Sequence, residues 1–559
     1  MQTPPTGDRT THPGTRGALS TTASTTAQPR RRSGKRIVLP LLALLALLAA
    51  CDAAGEDGTG EDGDGGGSAE DAPTDGAADD IEPAFIEDPD CFDVDAEGAG
   101  DLTCGTVEVP LDHDAPDAGT IELAVVVDAA ADTAGAGAPL LVLGGGPGEV
   151  LVEPYLTTPE LREVFAAERT TIVIDQRGVG SSDPALECPE LASLEVQETA
   201  AEDLDAALES LGECRDRLAD DGVDLDAYHH LANARDIDLV RRALGHDQLN
   251  LRGTSYGTQV ALLAAERFPD TVRSVVLSSP VDPRANWVEG VPAGFARSLD
   301  RLAAACAEVD ACTDQVGDLR DAIEETVQRL EEQPEEVTVE PPGGGTSAVE
   351  YTPSRFVAGL FNLFYQAELT ALLPAIVDRA QDGDLAPLAT IIATLEQQLE
   401  DGVSVGMQQS MLCTGEAALA DPERALAGVD DELVTEHWYP TTTLGESVDE
   451  VCDRWDVEQV YDPAEITLET EVPTLIVTGG LDHVTPPELG ERLHETLPVS
   501  HLVEVEWAVH APLEALSLTG PCGQRIVTDF LDDPDDGPDA GCADDFTLRL
   551  GTPLPAGLG

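Results

Sequence analysis

The chain has 559 residues, 42% of them hydrophobic, enough for one large core plus an inserted or added domain. Its 108 Asp and Glu face only 30 Lys and Arg, and Lys35 is the only lysine. With the amino-terminal segment removed no lysine remains, which excludes lysine Schiff bases, Ser–Lys dyads and a phosphate-cradling P-loop, and so acidic a surface excludes nucleic acid as a partner. The acidity reads as a solvated, self-repelling surface.

Residues 1–36 carry seven basic residues and one acid, and the apolar run Ile37–Ala50 that follows is too short to span a bilayer. This is the layout of a signal peptide. The run ends Leu48-Ala-Ala-Cys51, which resembles the bacterial lipobox, whose cysteine is acylated and becomes the first mature residue. Residues 1–50 are therefore expected to be a lipoprotein signal peptide, with lipidation at Cys51. The protein is expected on the extracellular face of the membrane, held only through that anchor, or secreted. Residues 51–90 are dominated by Gly, Ala, Asp and Glu and are expected to be a disordered acidic linker.

Beyond Cys51 stand ten cysteines, an even number that implies disulfides in an exported chain. Neighbour-to-neighbour pairing is the simplest arrangement, closing five local loops: Cys91–Cys104, Cys188–Cys214, Cys306–Cys312, Cys413–Cys452 and Cys522–Cys542. No CxxC pair or HExxH motif is present, so neither a metal nor any other cofactor is expected.

Two β-rich stretches, Thr106–Pro110 and Ile121–Val127, flank a turn-rich segment and predict a hairpin. Short apolar runs at Pro139–Leu143, Thr171–Ile174, Gln248–Arg252, Arg273–Ser278 and Pro473–Thr478 then alternate with helical patterns such as Asp236–Leu244. That alternation predicts a mostly parallel sheet with helices on both faces, an α/β fold. Between Pro283 and Glu471 the rhythm gives way to helical pattern, broken by a Pro/Gly-rich stretch at Glu340–Gly345. The expected organisation is a core in two parts, residues 91–284 and 471–559, with a helical cap at 285–470.

Gly253-Thr-Ser255-Tyr-Gly257 is a GxSxG motif directly after an apolar strand and before the helical run Thr258–Phe268. Strand, tight turn and helix are the context of the nucleophile elbow of an α/β-hydrolase fold, so Ser255 is the candidate nucleophile. A serine hydroxyl needs a base, and the base an orienting acid, in the chain order Ser, acid, His. His510 follows the apolar run Leu502–Val505 on a loop and is the candidate base. His501 is read as strand, His494 as a solvated helix residue and His483 as a surface side chain. Asp482 ends the strand of Pro473–Thr478 and is preferred as the acid over Asp282, which follows the previous strand. In Gly144-Gly-Gly-Pro-Gly148, glycine leaves a backbone N–H unhindered, so Gly145 and Tyr256 are the candidate oxyanion donors.

Together with Asp175-Gln-Arg-Gly-Val-Gly-Ser-Ser182 and Gly480-Leu-Asp-His-Val-Thr-Pro-Pro487, these motifs resemble the prolyl aminopeptidase family of α/β-hydrolase serine peptidases. Within it they resemble the secreted actinobacterial tripeptidyl aminopeptidases. The resemblance spans residues 91–559, the cap only in general character, and implies an exported serine peptidase acting on peptides with a free amino terminus. It departs from many members at Gly144, where they have His or Pro, and at His483, where they have Pro. Cys413-Thr-Gly-Glu416 resembles a short cap motif of the same group, which makes Glu416 the candidate anchor for the substrate's ammonium, with Glu149 second. A carboxylesterase of the same fold is the alternative, and a monomer is expected.

Overall fold

The computed structural model describes residues 81–94, 102–129, 137–165, 168–191, 200–339, 347–442, 444–445, 447–555 and 558. The expected signal peptide, Cys51 and the linker as far as residue 80 lie outside them.

The strands are β1 (Phe85–Glu87), β2 (Leu102–Pro110), β3 (Thr120–Asp128), β4 (Leu140–Leu143), β5 (Thr171–Ile174), β6 (Leu249–Thr254), β7 (Val272–Ser278), β8 (Glu335–Val339), β9 (Ser347–Tyr351), β10 (Thr474–Gly479) and β11 (Ser500–Val505). Nine of them form one sheet in the order β1-β2-β3-β5-β4-β6-β7-β10-β11. β1, β2, β3 and β5 pair antiparallel in succession, and every pair from β5 through β4 to β11 is parallel. This is the α/β-hydrolase fold, with the expected mostly parallel sheet.

Successive strand residues point to opposite faces, and the buried side chains divide accordingly. Leu141, Leu143, Ile172 and Leu251 join a core with the helices His230–Ala243 and Tyr256–Arg267. Leu140, Val142, Val173 and Val477 face the opposite way, against Pro159–Phe165, Pro512–Thr519 and Cys522–Asp532. Because both faces are covered, the parallel strands read in the sequence as unbroken apolar runs.

The last residues of the expected linker, from Ile81 to Asp90, are part of the fold. Phe85–Glu87 extend the sheet as β1, and Ile81 and Phe85 pack against the core. The apolar residues Ile81, Phe85 and Ile86 set this stretch apart from the acidic one before it. Gly105 permits the contact, since a Cβ there would lie 2.3 Å from the Ile86 carbonyl oxygen.

The segment between β7 and β10 is largely helical, but it packs in two places. Its first part, from Val291–Ala307 through Ala386–Gly402, has its own core around Phe295, Phe356, Phe361 and Phe364 and carries the β8–β9 hairpin. After Val405 the residues divide: Met407, Met411, Trp455 and Tyr461 join the sheet-side core beside Tyr256, while Leu412, Leu433, Trp438 and Val448 stay with the first core. The stretch expected as one cap is therefore in part a layer of the main body. Periodicity could not show this, because a helix carries the same apolar stripe whichever partner it meets. The five disulfides join neighbouring cysteines as expected, which suits a protein folded outside the reducing cytoplasm.

Buried ion pairs support the carboxyl-terminal side of the central strands, on β6 and after β5. Arg252 on β6 donates to Glu514 at 2.8 Å, and Glu514 also accepts from Thr254 and Ser278. Removing one partner of a buried pair leaves an uncompensated charge. Arg252→Met is expected to destabilise the fold by about 3–5 kcal/mol, measured as a shift in the denaturant midpoint. Pairing this change with Glu514→Leu should recover most of the loss.

Candidate active site

Ser255, Asp482 and His510 follow the carboxyl ends of β6, β10 and β11, while β7 lies between β6 and β10. Parallel pairing therefore brings the three to one edge of the sheet. Ser255 has φ 53° and ψ −125° and is followed at once by the helix Tyr256–Arg267. The turn is possible because its flanking glycines lack side chains. A Cβ on Gly253 would lie 2.3 Å from the Gly257 oxygen, and one on Gly257 would lie 2.5 Å from the Leu143 oxygen.

His510 Nδ1 sits 2.9 and 3.0 Å from the two carboxylate oxygens of Asp482, with both side chains fully enclosed. Its Nε2 is buried with no hydrogen-bond partner among the described residues, free for a hydroxyl proton. Asp482 is held on several sides. It accepts from Ser279 Oγ at 2.6 Å, Thr485 Oγ1 at 2.8 Å, and the Val484 and Thr485 N–H groups at 3.1 and 2.9 Å. Burial by itself would raise its carboxyl. The charge of His510 and the hydrogen bonds from His510 and Ser279 outweigh burial and hold it well below the usual carboxylate range. Two guanidinium bonds from the inserted segment, Arg297 to the Gly480 and Asp482 carbonyls, fix the loop that carries it.

The glycine loop after β4 lies beside the elbow, since Leu143 pairs with Gly253. Tyr256, as first residue of its helix, has an N–H without an intrahelical acceptor. The Gly145 N–H, by contrast, is taken: it donates to Glu149 Oε2 at 2.5 Å. The Asp175–Gln176–Arg177 motif buttresses this loop. Asp175 accepts from the N–H groups of Leu151, Val152 and Ser181, Gln176 donates to the Gly144 carbonyl, and Arg177 forms a two-pronged pair with Asp236.

The other candidates fall differently. Asp282 is paired with Arg284 at 2.9 Å, away from His510. His483 is not on the surface. It is fully buried among Phe295, Phe361, Phe364 and Tyr365, neither ring nitrogen has a partner, and burial lowers it to about 3. Its place directly after Asp482 carries it under the inserted helix Val291–Ala307, where Gly294 meets the His483 carbonyl. Glu416 lies beneath the elbow helix, accepting from Gln259 at 2.6 Å and 3.2 Å from His230 Nε2. Burial would raise its carboxyl, but His230 and the Gln259 bond hold it low. Sequence reading missed Ser279, Thr485 and Tyr365. The Tyr365 ring meets the His510 ring edge-on at 5.6 Å, and with Phe361, Asn362 and Trp438 it lines a cavity in the inserted segment.

Comparison with known proteins agrees with this architecture. Residues 138–321 match the family described as alpha/beta hydrolase fold, and residues 441–542 match the one described as TAP-like protein. The chain is 28% identical to serine protease Hip1 of Mycobacterium tuberculosis over 425 residues, 71% of this chain and 79% of that one. It is 26% identical to the tripeptidyl aminopeptidase of Streptomyces coelicolor, over 80% of this chain and 84% of that one. It is also 33% identical to carboxylesterase B of Mycobacterium tuberculosis, over 37% of this chain and 42% of that one.

Asp482→Asn would present an amide where the imidazole N–H needs a carboxylate. The expected result is a fall in kcat of about four orders of magnitude, measured on an activated ester, with little change in KM.

Proposed function

From an α/β-hydrolase fold with a TAP-like carboxy-terminal part, we propose that the protein is an exported serine exopeptidase. It releases amino acids or short peptides from free amino termini through an acyl-enzyme on Ser255. The observation that carries this reading is the enclosed His510–Asp482 pair at the same sheet edge as the Ser255 elbow, its outer nitrogen unpartnered.

In this mechanism His510 Nε2 takes the Ser255 proton as Oγ attacks the scissile carbonyl carbon. The Tyr256 and Gly145 N–H groups receive the oxyanion, and Asp482 stabilises the imidazolium. His510 then returns the proton to the leaving amine, and water repeats the sequence to free the acyl group. The match to a TAP-like family over the residues that include Asp482 and His510 supports the peptidase assignment, as do the relatives named serine protease and tripeptidyl aminopeptidase. Five disulfides and the lipobox-like Leu48–Cys51 support export, with acylation at Cys51.

Neither acid suggested for the ammonium is given that task. Glu416 is enclosed and engaged with Gln259 and His230, and Glu149 is committed to the Gly145 N–H. The likeness to carboxylesterase B supports an esterase as the second reading.

Peptidyl anilides with free and acetylated amino termini separate the two. The exopeptidase reading expects kcat/KM to be about ten- to a hundred-fold higher for the free amine, the worth of a charge-assisted hydrogen bond. Equal rates on both, with faster turnover of simple esters, would establish the esterase instead.

A further inference from the structure

Glu149 stands at the candidate oxyanion site, with no counter-charge among the described residues. Its side chain is 7% exposed, and its Oε2 accepts the Gly145 N–H at 2.5 Å. The backbone holds it there. Glu149 N–H donates to the Gly145 carbonyl at 3.3 Å, closing a turn over Gly146 and Gly148, which have φ of 101° and 93°. The inserted segment clamps the turn from above, because Ser404 N–H donates to the Gly148 carbonyl and Val150 N–H to the Gly402 carbonyl, both at 2.9 Å. Glu149 itself bridges to Val403.

The charged groups that act on this carboxyl are Glu514 and Asp175, both acids. Glu514 belongs to Arg252, and Asp175 accepts three backbone N–H groups. Burial pushes the Glu149 carboxyl up to about 7, against the lowering effect of the Gly145 N–H. An ionised carboxylate and a tetrahedral oxyanion cannot share one N–H in a buried site, because two like charges at that distance repel strongly.

We propose that Glu149 is a latch on the oxyanion site. Its carboxylate occupies the Gly145 N–H in the resting enzyme and must release it before an acyl intermediate can form. The inference rests on the Ser255 mechanism and adds a control to it. The latch is strongest when Glu149 is charged, since a charge-assisted hydrogen bond is about twice as strong as a neutral one. Protonation or rotation of the side chain frees the donor. Glu149 thus touches the reacting centre through the donor it withholds, and it restrains the reaction rather than driving it.

The test follows the rate at which a fluorophosphonate probe, which needs the same donors but carries no amine, labels wild type, Glu149→Gln and Glu149→Ala between pH 5.5 and 9. Hydrolysis of para-nitrophenyl acetate is followed in parallel. The latch predicts that both variants react faster than wild type at pH 9, by about tenfold, and that the ratio falls to near one below pH 6. Folding is checked independently. The folded carboxyl lies above its ordinary value of 4.5, so wild type loses stability relative to Glu149→Gln as pH rises from 4.5 to about 7. Variants that label more slowly, or at the wild-type rate at every pH, would overturn the latch. So would a loss of rate confined to free-amine anilides, which would make Glu149 the ammonium anchor. Labelling that survives Ser255→Ala would remove the underlying mechanism as well, and is read separately.

Discussion

A serine with φ of 53° costs about 1–3 kcal/mol relative to ordinary backbone, and much of the central structure is arranged around the turn that imposes it. Ser255 N–H is held by the Ser278 carbonyl at the end of β7 at 2.9 Å. The Thr258 hydroxyl donates to the Ser255 carbonyl and accepts the Val281 N–H at 2.8 Å, tying the elbow to the chain leaving β7. Gly253 and Gly257 let strand and helix approach within distances that a Cβ would forbid, and the same approach brings the glycine loop of β4 onto the first turn of the helix. One constrained angle thus fixes the hydroxyl, the Tyr256 N–H and the Gly145 loop relative to one another.

The interior supports this edge with charge. A chain so rich in acids places two of its arginines, Arg177 and Arg252, among its most deeply enclosed side chains, each paired to an acid and to backbone carbonyls. Arg252 and Glu514 lie behind the elbow, and Glu514 accepts from Thr254 and Ser278, the residues that end β6 and β7. Arg177 and Asp236 anchor the loop after β5, whose Gln176 holds the Gly144 carbonyl. The inserted segment completes the enclosure, with Arg297 on the acid loop and Tyr365 against the base. Removing water in this way strengthens the electrostatics within the site.

How much of this could be read from residues alone follows from the range of the interactions. Buried parallel strands announce themselves locally as runs such as Thr171–Ile174, and GxSxG between strand and helix is a local signature, so the sheet and the elbow were legible. Chain order alone placed Asp482 and His510 at strand ends beside Ser255. Ser279 and Thr485 were not legible, because their value lies in contacts to Asp482 across 203 and 3 residues that any hydroxyl could have made. His483 was read as a surface side chain, but its burial is imposed by aromatic rings more than 100 residues away. Glu416 looked available for a ligand, yet its partners Gln259 and His230 come from two distant helices. The split of the inserted segment between its own core and the sheet has the same origin.

The central claim is that one hydroxyl, at the strained turn, is the nucleophile. The most direct measurement is mass-spectrometric identification of the residue modified when the folded protein reacts with a fluorophosphonate. The account predicts one modified peptide per chain, carrying the adduct on Ser255, and none in the Ser255→Ala protein. A stoichiometric adduct on any other residue, or a native protein that remains unmodified while still hydrolysing substrate, would contradict it.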